Sequence, residues 1–312
     1  MDTAAGGRWS LALLYFVACV LGHLRFSLWL VAKRSKVDGS TYAYTDWLTP
    51  ALLLTAALVA VWVLWQAWRL SRIMPILGLW LLWGLGIGLI DRFLFYSLPE
   101  YIHYPQYALL AWLLAWAMDP QRTRQLVGRV LFWTTLLGMG DELLQYLWIT
   151  TSYSEYLDFN DFVTNLLGAV AGVLLYYGRP LPRSVPEPLM QQRTRAVTEW
   201  AVVGVLVAAL GLGLVSGRVV VTPTQTVPEG GFALREPDRW STVTWHLQRT
   251  VPPRYGTWNR GPYRGRYWIL EPVSGMSLLL LGGWLYAGAL RAGLGRPRIL
   301  SCVPAPHPAP ST

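Results

Sequence analysis

The run VLFWTTLLGMGDELLQYLWI, Val130–Ile149, decides which kind of fold this chain adopts. It is 20 residues long and mostly apolar, and about 20 residues of helix cross a hydrocarbon core roughly 30 Å thick. Two adjacent acids, Asp141 and Glu142, and the amide Gln145 interrupt the run. It therefore predicts a membrane-spanning helix that carries polar groups at a depth where lipid alone does not stabilise them.

Further apolar segments extend this prediction to the whole chain. The sequence of 312 residues is 54% hydrophobic, only 14% charged and contains 18 tryptophans, which is more apolar than a soluble protein of this length. Backbone polar groups inside lipid must be satisfied within the chain, so each segment is predicted to be helical. The predicted fold is an all-α, polytopic membrane helix bundle with about eight transmembrane helices, near residues 10–32, 47–67, 75–97, 103–118, 129–149, 159–178, 199–220 and 273–291.

The placement of lysine and arginine predicts the orientation, because cytoplasmic loops of membrane proteins are enriched in both. The loop 150–160 contains neither residue, and we assign it to the extracytoplasmic side. This assignment also puts ten basic residues outside, against the rule: Lys33, Arg34, Lys36 and the seven arginines of 222–272. The orientation therefore depends on giving the short central loops the most weight. An N-in/C-in topology is predicted, with these cytoplasmic arginines: Arg69, Arg72, Arg122, Arg124, Arg129, Arg179, Arg183, Arg193, Arg195, Arg291, Arg296 and Arg298.

Changes in composition suggest five regions along the chain. The Pro-rich, basic stretch RPLPRSVPEPLMQQRTR is typical of a surface linker, and PAPHPAPST is typical of a disordered tail. The predicted regions are two N-terminal transmembrane helices (1–74), a four-helix membrane core (75–178), a basic cytoplasmic linker (179–198), a transmembrane hairpin (199–292) with an extracytoplasmic loop (222–272), and the tail (293–312).

Three polar sets in the core mark the candidate site, since ionisable residues within membrane helices are functional candidates by default. All three lie at connections on the predicted outer side, and helices joined by short connections are antiparallel neighbours. Their polar faces are therefore predicted to line one cavity, while the simpler alternative is that they only join the helices to one another. The sets are Glu100 with His103, Asp141 and Glu142 with Gln145, and Asp161 with Asn165.

Two shorter patterns accompany these sets. Gly168 and Gly172 form a small-xxx-small step that predicts close packing of the sixth helix. Gly138-Met139-Gly140-Asp141 matches the GxGD pattern of intramembrane aspartyl proteases, for which Asp91 in LIDRF would have to be the second aspartate.

The combined pattern resembles the VanZ-like family of bacterial membrane proteins. Over roughly residues 75–178 the chain shows Glu100 with His103, then Asp141-Glu142-x-x-Gln145, then Asp161-x-x-x-Asn165-x-x-Gly168. The resemblance implies a protein of the bacterial cytoplasmic membrane, linked to glycopeptide antibiotic resistance, with those residues at the family's polar positions. Family members often carry an arginine shortly before the sixth-helix aspartate, and this chain has none there.

The loop 222–272 is the second informative region. WSTVTWHLQRTVPPRYGTWNRGPYRGRYWIL interleaves tryptophan and tyrosine with arginine, a composition that stacks on sugars or binds phosphates. The same composition also suits an interfacial aromatic belt with arginines reaching towards water. Its prolines and glycines predict an irregular or short-stranded lid.

Three hypotheses of function follow. The first is a protein that binds or modulates a membrane lipid or lipid-linked cell-wall precursor in an outward-facing cavity, with Glu100, Gln145 and Asn165 as ligand-binding residues. The second is a membrane enzyme that acts on such a headgroup, with a divalent cation or acid/base catalysis by its carboxylates and histidine. The third is an assembly subunit that binds a membrane partner through helices seven and eight. The second hypothesis assigns catalysis to His103, Asp141, Glu142 and Asp161.

The sequence also argues against several other classes. The net charge of +9 is typical of membrane anchoring, and no module that binds nucleic acid is present. No HExxH, phosphate loop or paired CxxC motif occurs.

Overall fold

The computed structural model describes residues 3–294 apart from 33, 38–39, 70–72, 150–154, 179–188, 222–225, 228–231, 235–242 and 251–253. Within these residues it contains eight α-helices, and each overlaps one predicted segment. They are α1 (Thr3–Ala32), α2 (Tyr44–Arg69), α3 (Ile73–Phe93), α4 (His103–Met118), α5 (Val127–Leu144), α6 (Phe159–Tyr177), α7 (Leu189–Val215) and α8 (Pro272–Leu294). The prediction that helix dominates the fold is confirmed.

Five helices are long and apolar enough to cross a membrane, within α1, α2, α3, α6 and α8. The predicted spans in α4, α5 and α7 do not meet the same standard over their described residues. At a rise of 1.5 Å per residue, the 16 residues of α4 cover only about 24 Å. Large apolar side chains such as Leu53, Leu81 and Trp284 are exposed on the outer helices, as expected of a surface that lipid covers. The chain is therefore a helical membrane protein.

α6 forms the centre of the bundle and is buried along most of its length. Glycines allow its close approach to α4, because a Cβ atom at Gly168 would lie 2.9 Å from the carbonyl oxygen of His103. At Gly172 a Cβ atom would overlap the backbone of Ala108. A larger residue at either position would push α4 away, so these glycines position His103 beside the first turn of α6.

α8 packs against this centre, although it follows the long loop in sequence. Gly275 lies against the ring of Phe159, and the Tyr286 hydroxyl donates to the carbonyl oxygen of Leu82 at 3.1 Å. Leu279 and Leu290 are buried in the same core. The four-helix core 75–178 therefore has a fifth contributor, which the predicted hairpin 199–292 treats as separate.

The connections add short strands that an all-α description leaves out. β1 (Arg34–Val37) and β2 (Ser40–Ala43) form an antiparallel hairpin. In the loop after α7, β5 (Val243–His246) pairs parallel with β3 (Val219–Val220) and antiparallel with β4 (Phe232–Leu234), and β6 (Thr257–Gly261) forms a hairpin with β7 (Gly265–Ile269). The described parts of the loop 222–272 therefore contain short strands.

Two predicted regions lie largely outside the described residues. Of the linker 179–198, residues 179–188 are not described, and α7 already begins at Leu189. Of the tail 293–312, the structure describes only residues 293 and 294, which complete α8.

Candidate functional site

The polar sets meet because α4 begins, α5 ends and α6 begins at the same end of the bundle. His103 is the first residue of α4, Glu142 lies in the last turn of α5, and Asp161 lies in the first turn of α6. We call this end, defined by His103, Asp141, Glu142, Asp161 and Asn165, the acidic end. The site thus follows from the antiparallel order of three consecutive helices.

Asp141 is fully engaged in hydrogen bonds. Its Oδ2 accepts from the hydroxyl of Tyr107 at 2.7 Å and from Nε2 of Gln106 at 3.3 Å. Its Oδ1 accepts from Nε2 of Gln145 at 3.0 Å. Three donors stabilise a buried carboxylate at a position where an unpaired one would cost several kcal/mol. Asp141 therefore joins α4 to α5.

Glu142 points to a different neighbour, since successive residues on a helix face about 100° apart. Its Oε1 accepts from Nδ2 of Asn165 on α6 at 3.3 Å. Gln145 follows Glu142 by three residues, a spacing at which two side chains lie on one face of a helix. In the structure Gln145 instead donates to Asp141, four residues away.

His103 and Asp161 complete the group. Nδ1 of His103 lies 3.5 Å from Oδ1 of Asp161. One ligand atom from each of His103, Glu142 and Asp161 lies within 4.8 Å of the other two. We call these three residues the His-Glu-Asp cluster. Imidazole nitrogen and carboxylate oxygens at this spacing are the donor types of a divalent metal site.

Asn165 lies beside this cluster, and the two polar atoms of its side chain differ in their hydrogen bonding. Its Nδ2 is used by Glu142, but its buried Oδ1 has no hydrogen-bond partner among the residues that the structure describes. The side chain of Asn165 also interacts with the imidazole of His103, so its Oδ1 is positioned to accept from a donor, or to contact a cation, at the His-Glu-Asp cluster.

Glu100 has a structural position next to the cluster. Its carboxylate accepts from the backbone amides of Ser97 at 2.9 Å and Tyr96 at 3.1 Å, and so caps the short 3-10 helix Leu98–Ile102. Burial, followed by the charges of Asp161 and Asp158, raises the pKa of Glu100 well above its usual value. The oxygens of Glu100 are therefore used by this turn, and the residue lies next to the cluster as a cap.

Asp158 is a site residue that the sequence analysis did not select. It is the N-cap of α6, where its Oδ1 accepts from the backbone amide of Asn160 at 2.8 Å. Burial and the charge of Asp161 raise the pKa of Asp158 well above its usual value. The spacing Asp158-x-x-Asp161 could have identified Asp158 from the sequence, because it places both carboxylates in or next to one helical turn.

Asn160 joins the acidic end to the loop after α7 and was also missed. Its Nδ2 donates to the carbonyl oxygens of Leu94 at 2.9 Å and Trp268 at 2.8 Å, and its Oδ1 accepts from the amide of Leu270 at 3.0 Å. One side chain thus connects α3, α6, β7 and the start of α8. The strands of the loop are held over the site by this residue.

A second connection is made beyond α5, where the helix ends in a π-helical turn, Gln145–Ile149. Such turns free carbonyl groups and are frequent at functional sites. Here the guanidinium of Arg249 donates to the carbonyl oxygen of Tyr146, and its Cζ lies 4.1 Å from the centre of the Tyr146 ring. Tyr146 in turn donates to the carbonyl oxygen of His246 at 2.7 Å.

Asp91, the second aspartate that the protease hypothesis requires, has other partners. It accepts from the hydroxyl of Tyr101 at 2.6 Å and forms an ion pair with Arg264. None of these contacts involves Asp141, so the structure gives no support to an aspartyl dyad.

Among the described residues, no lysine or arginine forms an ion pair with the carboxylates of the acidic end. His103 of the cluster is 5% exposed and Glu142 is 7% exposed, whereas the side chain of Asp161 is 17% exposed. The more exposed part of the cluster is therefore on the side of Asp161.

Fold and site together define a helical membrane protein with a buried, carboxylate-rich site at one end of its central helices. Comparison of the chain with protein-family models, with curated proteins and with solved structures finds no significant match. The function therefore has to be argued from the site itself.

Proposed function

We propose that this chain is a multi-pass protein of the bacterial cytoplasmic membrane with a VanZ-like core, about eight transmembrane helices and both termini in the cytoplasm. In this proposal the acidic end faces outward and binds the headgroup of an envelope lipid or lipid-linked cell-wall precursor. Binding there would modulate the availability of the precursor and so link the protein to glycopeptide antibiotic resistance.

The observation that supports the proposal is the incomplete pairing of the His-Glu-Asp cluster. Asp141 accepts three hydrogen bonds, whereas Asn165 Oδ1 beside Glu142 is buried and accepts none from the residues that the structure describes. Carboxylate and amide oxygens accept from the hydroxyl, amide and ammonium groups that sugar, peptide and aminoalcohol headgroups carry. Such a ligand would supply the missing donors.

The loop after α7 supports the same proposal. Asn160 and Tyr146 hold it over the acidic end, and its β6–β7 hairpin carries Trp258 and Trp268 with their ring centres 5.4 Å apart. Aromatic side chains at this position are suited to pack against a sugar or to lie in the lipid interface.

A second candidate, an enzyme that acts on the same headgroup, is favoured by one observation. His103 and Asp161 lie 3.5 Å apart with Glu142 nearby, which provides groups that can hold or transfer a proton beside a bound ligand. Turnover of a lipid by the purified protein would distinguish this candidate from binding alone. The assembly hypothesis keeps α7 and the exposed face of α8, because only one face of α8 packs against the core.

Native mass spectrometry of the protein purified in mild detergent tests the proposal. Wild type should carry a lipid mass that Glu142→Gln and Asp161→Asn lose. Glu155→Gln is the matched control, since Glu155 lies near the same end but pairs with Arg254 on the surface. Equal lipid loads on all four proteins would overturn the proposal.

A further inference from the structure

Three helices each bring one metal-binding side chain to the acidic end. His103, Glu142 and Asp161 have ligand atoms that all lie within 4.8 Å of one another. Two ligands about 2.1 Å from one ion at a tetrahedral angle are roughly 3.4 Å apart. The 3.5 Å between Nδ1 of His103 and Oδ1 of Asp161 already matches that spacing, so small side-chain rotations would bring Glu142 to the same ion.

Asn165 provides an independent observation. Asn165 is only 1% exposed, and its Nδ2 donates to Glu142, one of the proposed metal ligands. Its Oδ1 has no hydrogen-bond partner among the described residues. An oxygen without a donor can bind a cation, directly or through a bound water. Asn165 therefore completes an oxygen-rich surrounding for one cation.

Charge balance leads to the same conclusion. Asp141 is stabilised by three hydrogen bonds, whereas Glu142 accepts one, and neither Glu142 nor Asp161 has a lysine or arginine partner in the described part of the chain. Buried carboxylates without such partners cost several kcal/mol each unless they are protonated or coordinate a metal. A bound divalent cation would remove that cost for both.

We propose that His103, Glu142 and Asp161 bind a divalent transition-metal ion of the Mn²⁺ or Zn²⁺ type. One imidazole and two carboxylates favour these ions over Ca²⁺, which prefers oxygen ligands alone. Three protein ligands leave at least one position open to water or to a ligand atom. The open position faces the more exposed side of the cluster, where Asp161 lies.

A bound metal would also determine which class of lipid headgroup binds at the acidic end. This inference rests on the proposed function. Without a cation, the carboxylates of the acidic end repel an anionic phosphate. With a divalent ion in the cluster, a phosphate oxygen can take the open position. The ligand is then a phosphate-bearing lipid, and its binding requires the metal.

Titration of the chelator-stripped full-length protein with Mn²⁺, followed by electron paramagnetic resonance, tests the metal site. One Mn²⁺ should bind per chain and should be displaced by Zn²⁺. Glu142→Gln and Asp161→Asn should each weaken binding by more than about 100-fold, and Asn165→Ala by about 10- to 100-fold, as expected of an outer partner. Glu155→Gln should bind Mn²⁺ as wild type does.

Size-exclusion profiles identify any variant that fails to fold, and the stoichiometry of wild type is decisive by itself. Folded wild type that binds no Mn²⁺ or Zn²⁺ would overturn the metal site, as would binding that both isosteric variants retain. Lipid loads measured on the same samples separate the two proposals. Metal binding without lipid would leave the metal site standing and contradict the proposed function. Lipid on a protein that binds no metal would overturn the metal site and leave the proposed function standing, and lipid that stays bound after the metal is stripped would contradict the step in which the lipid requires the metal.

Discussion

Asp119 and Glu142 are both buried carboxylates, at opposite ends of the central bundle, and they differ in how completely they are paired. Asp119, 3% exposed, accepts from the amide of Thr123 at 2.9 Å, from the Thr123 hydroxyl at 3.1 Å and from the amide of Arg124 at 3.1 Å. Glu142 accepts one hydrogen bond of 3.3 Å, from Asn165. The difference separates a carboxylate that builds the fold from one that is available to a ligand.

The surroundings of the two carboxylates support this distinction. The turn at Asp119 holds Arg122 and Arg124 at φ values of 54° and 63°, a region that L residues rarely adopt. Arg124 then donates to the carbonyl oxygens of Tyr177 and Leu294, the last residues of α6 and α8. Its positive charge also interacts favourably with the dipoles of both helices at their C-terminal ends. At the other end the carboxylates lie close to one another without such a cation among the described residues. The carboxylate at one end is paired within the chain, and in our proposal the other end is completed by a bound metal or ligand.

The largest effect is expected at the end where Asp119 lies. Asp119→Ala should lower the free energy of unfolding by about 2–4 kcal/mol, because two half-buried backbone amides lose their acceptor while two strained residues remain. Thermal unfolding in detergent, followed by circular dichroism, measures this change. Glu155→Ala, which removes an exposed ion pair, should cost less than about 1 kcal/mol. Equal costs for the two variants would contradict the assignment of Asp119.

A smaller loss is expected for Tyr107→Phe, which tests whether Asp141 belongs with Asp119. The change removes one of three donors to Asp141 and should cost about 1–2 kcal/mol. Tyr96→Phe is the matched control, since Tyr96 is 45% exposed. If Tyr107→Phe left stability unchanged but abolished binding of Mn²⁺ or lipid, Asp141 would belong with Glu142 instead.

Asp158→Asn should stabilise the protein modestly, by roughly 0.5–1 kcal/mol at pH 7. The native pKa of Asp158 is raised by burial and by Asp161, so the native state holds its proton more tightly than the unfolded state. The contribution of Asp158 to the free energy of unfolding is therefore fully present below its pKa in the unfolded state, about 3.9. It is lost as pH rises through its higher pKa in the native state. Asparagine keeps the N-cap to Asn160 and removes the charge.

Unfolding measured at several pH values provides the control for this prediction. The gain from Asp158→Asn should be present at pH 7 and absent near pH 4, where wild type is protonated as well. A gain that is independent of pH would indicate a packing effect, and a loss at pH 7 would show that the charge of Asp158 stabilises the native state.

The sequence could predict where the polar groups gather but not which of them pair. Apolar runs and short connections indicate helices and their antiparallel order, which is enough to bring His103, Glu142 and Asp161 to one end. Pairing depends on the rotation of each helix, so whether Gln145 would meet Asp141 or Glu142 was not decidable from spacing. Contacts across long separations, such as Asn160 with Trp268, depend on how the loop folds over that end.

Glu142→Gln is expected to change stability little, and its response to metal makes it the most informative variant. The glutamine oxygen can still accept from Asn165, while the buried charge is gone, so metal-free protein should unfold within about 1 kcal/mol of wild type. Addition of Mn²⁺ should raise the unfolding temperature of wild type, because an ion that binds only the native state stabilises it, and should leave the variant unchanged. A cost of 3 kcal/mol or more without metal would place Glu142 beside Asp119 as a structural residue. Unchanged stability together with a lost response to metal would show that the Glu142 carboxylate serves binding, since the fold stands without its charge.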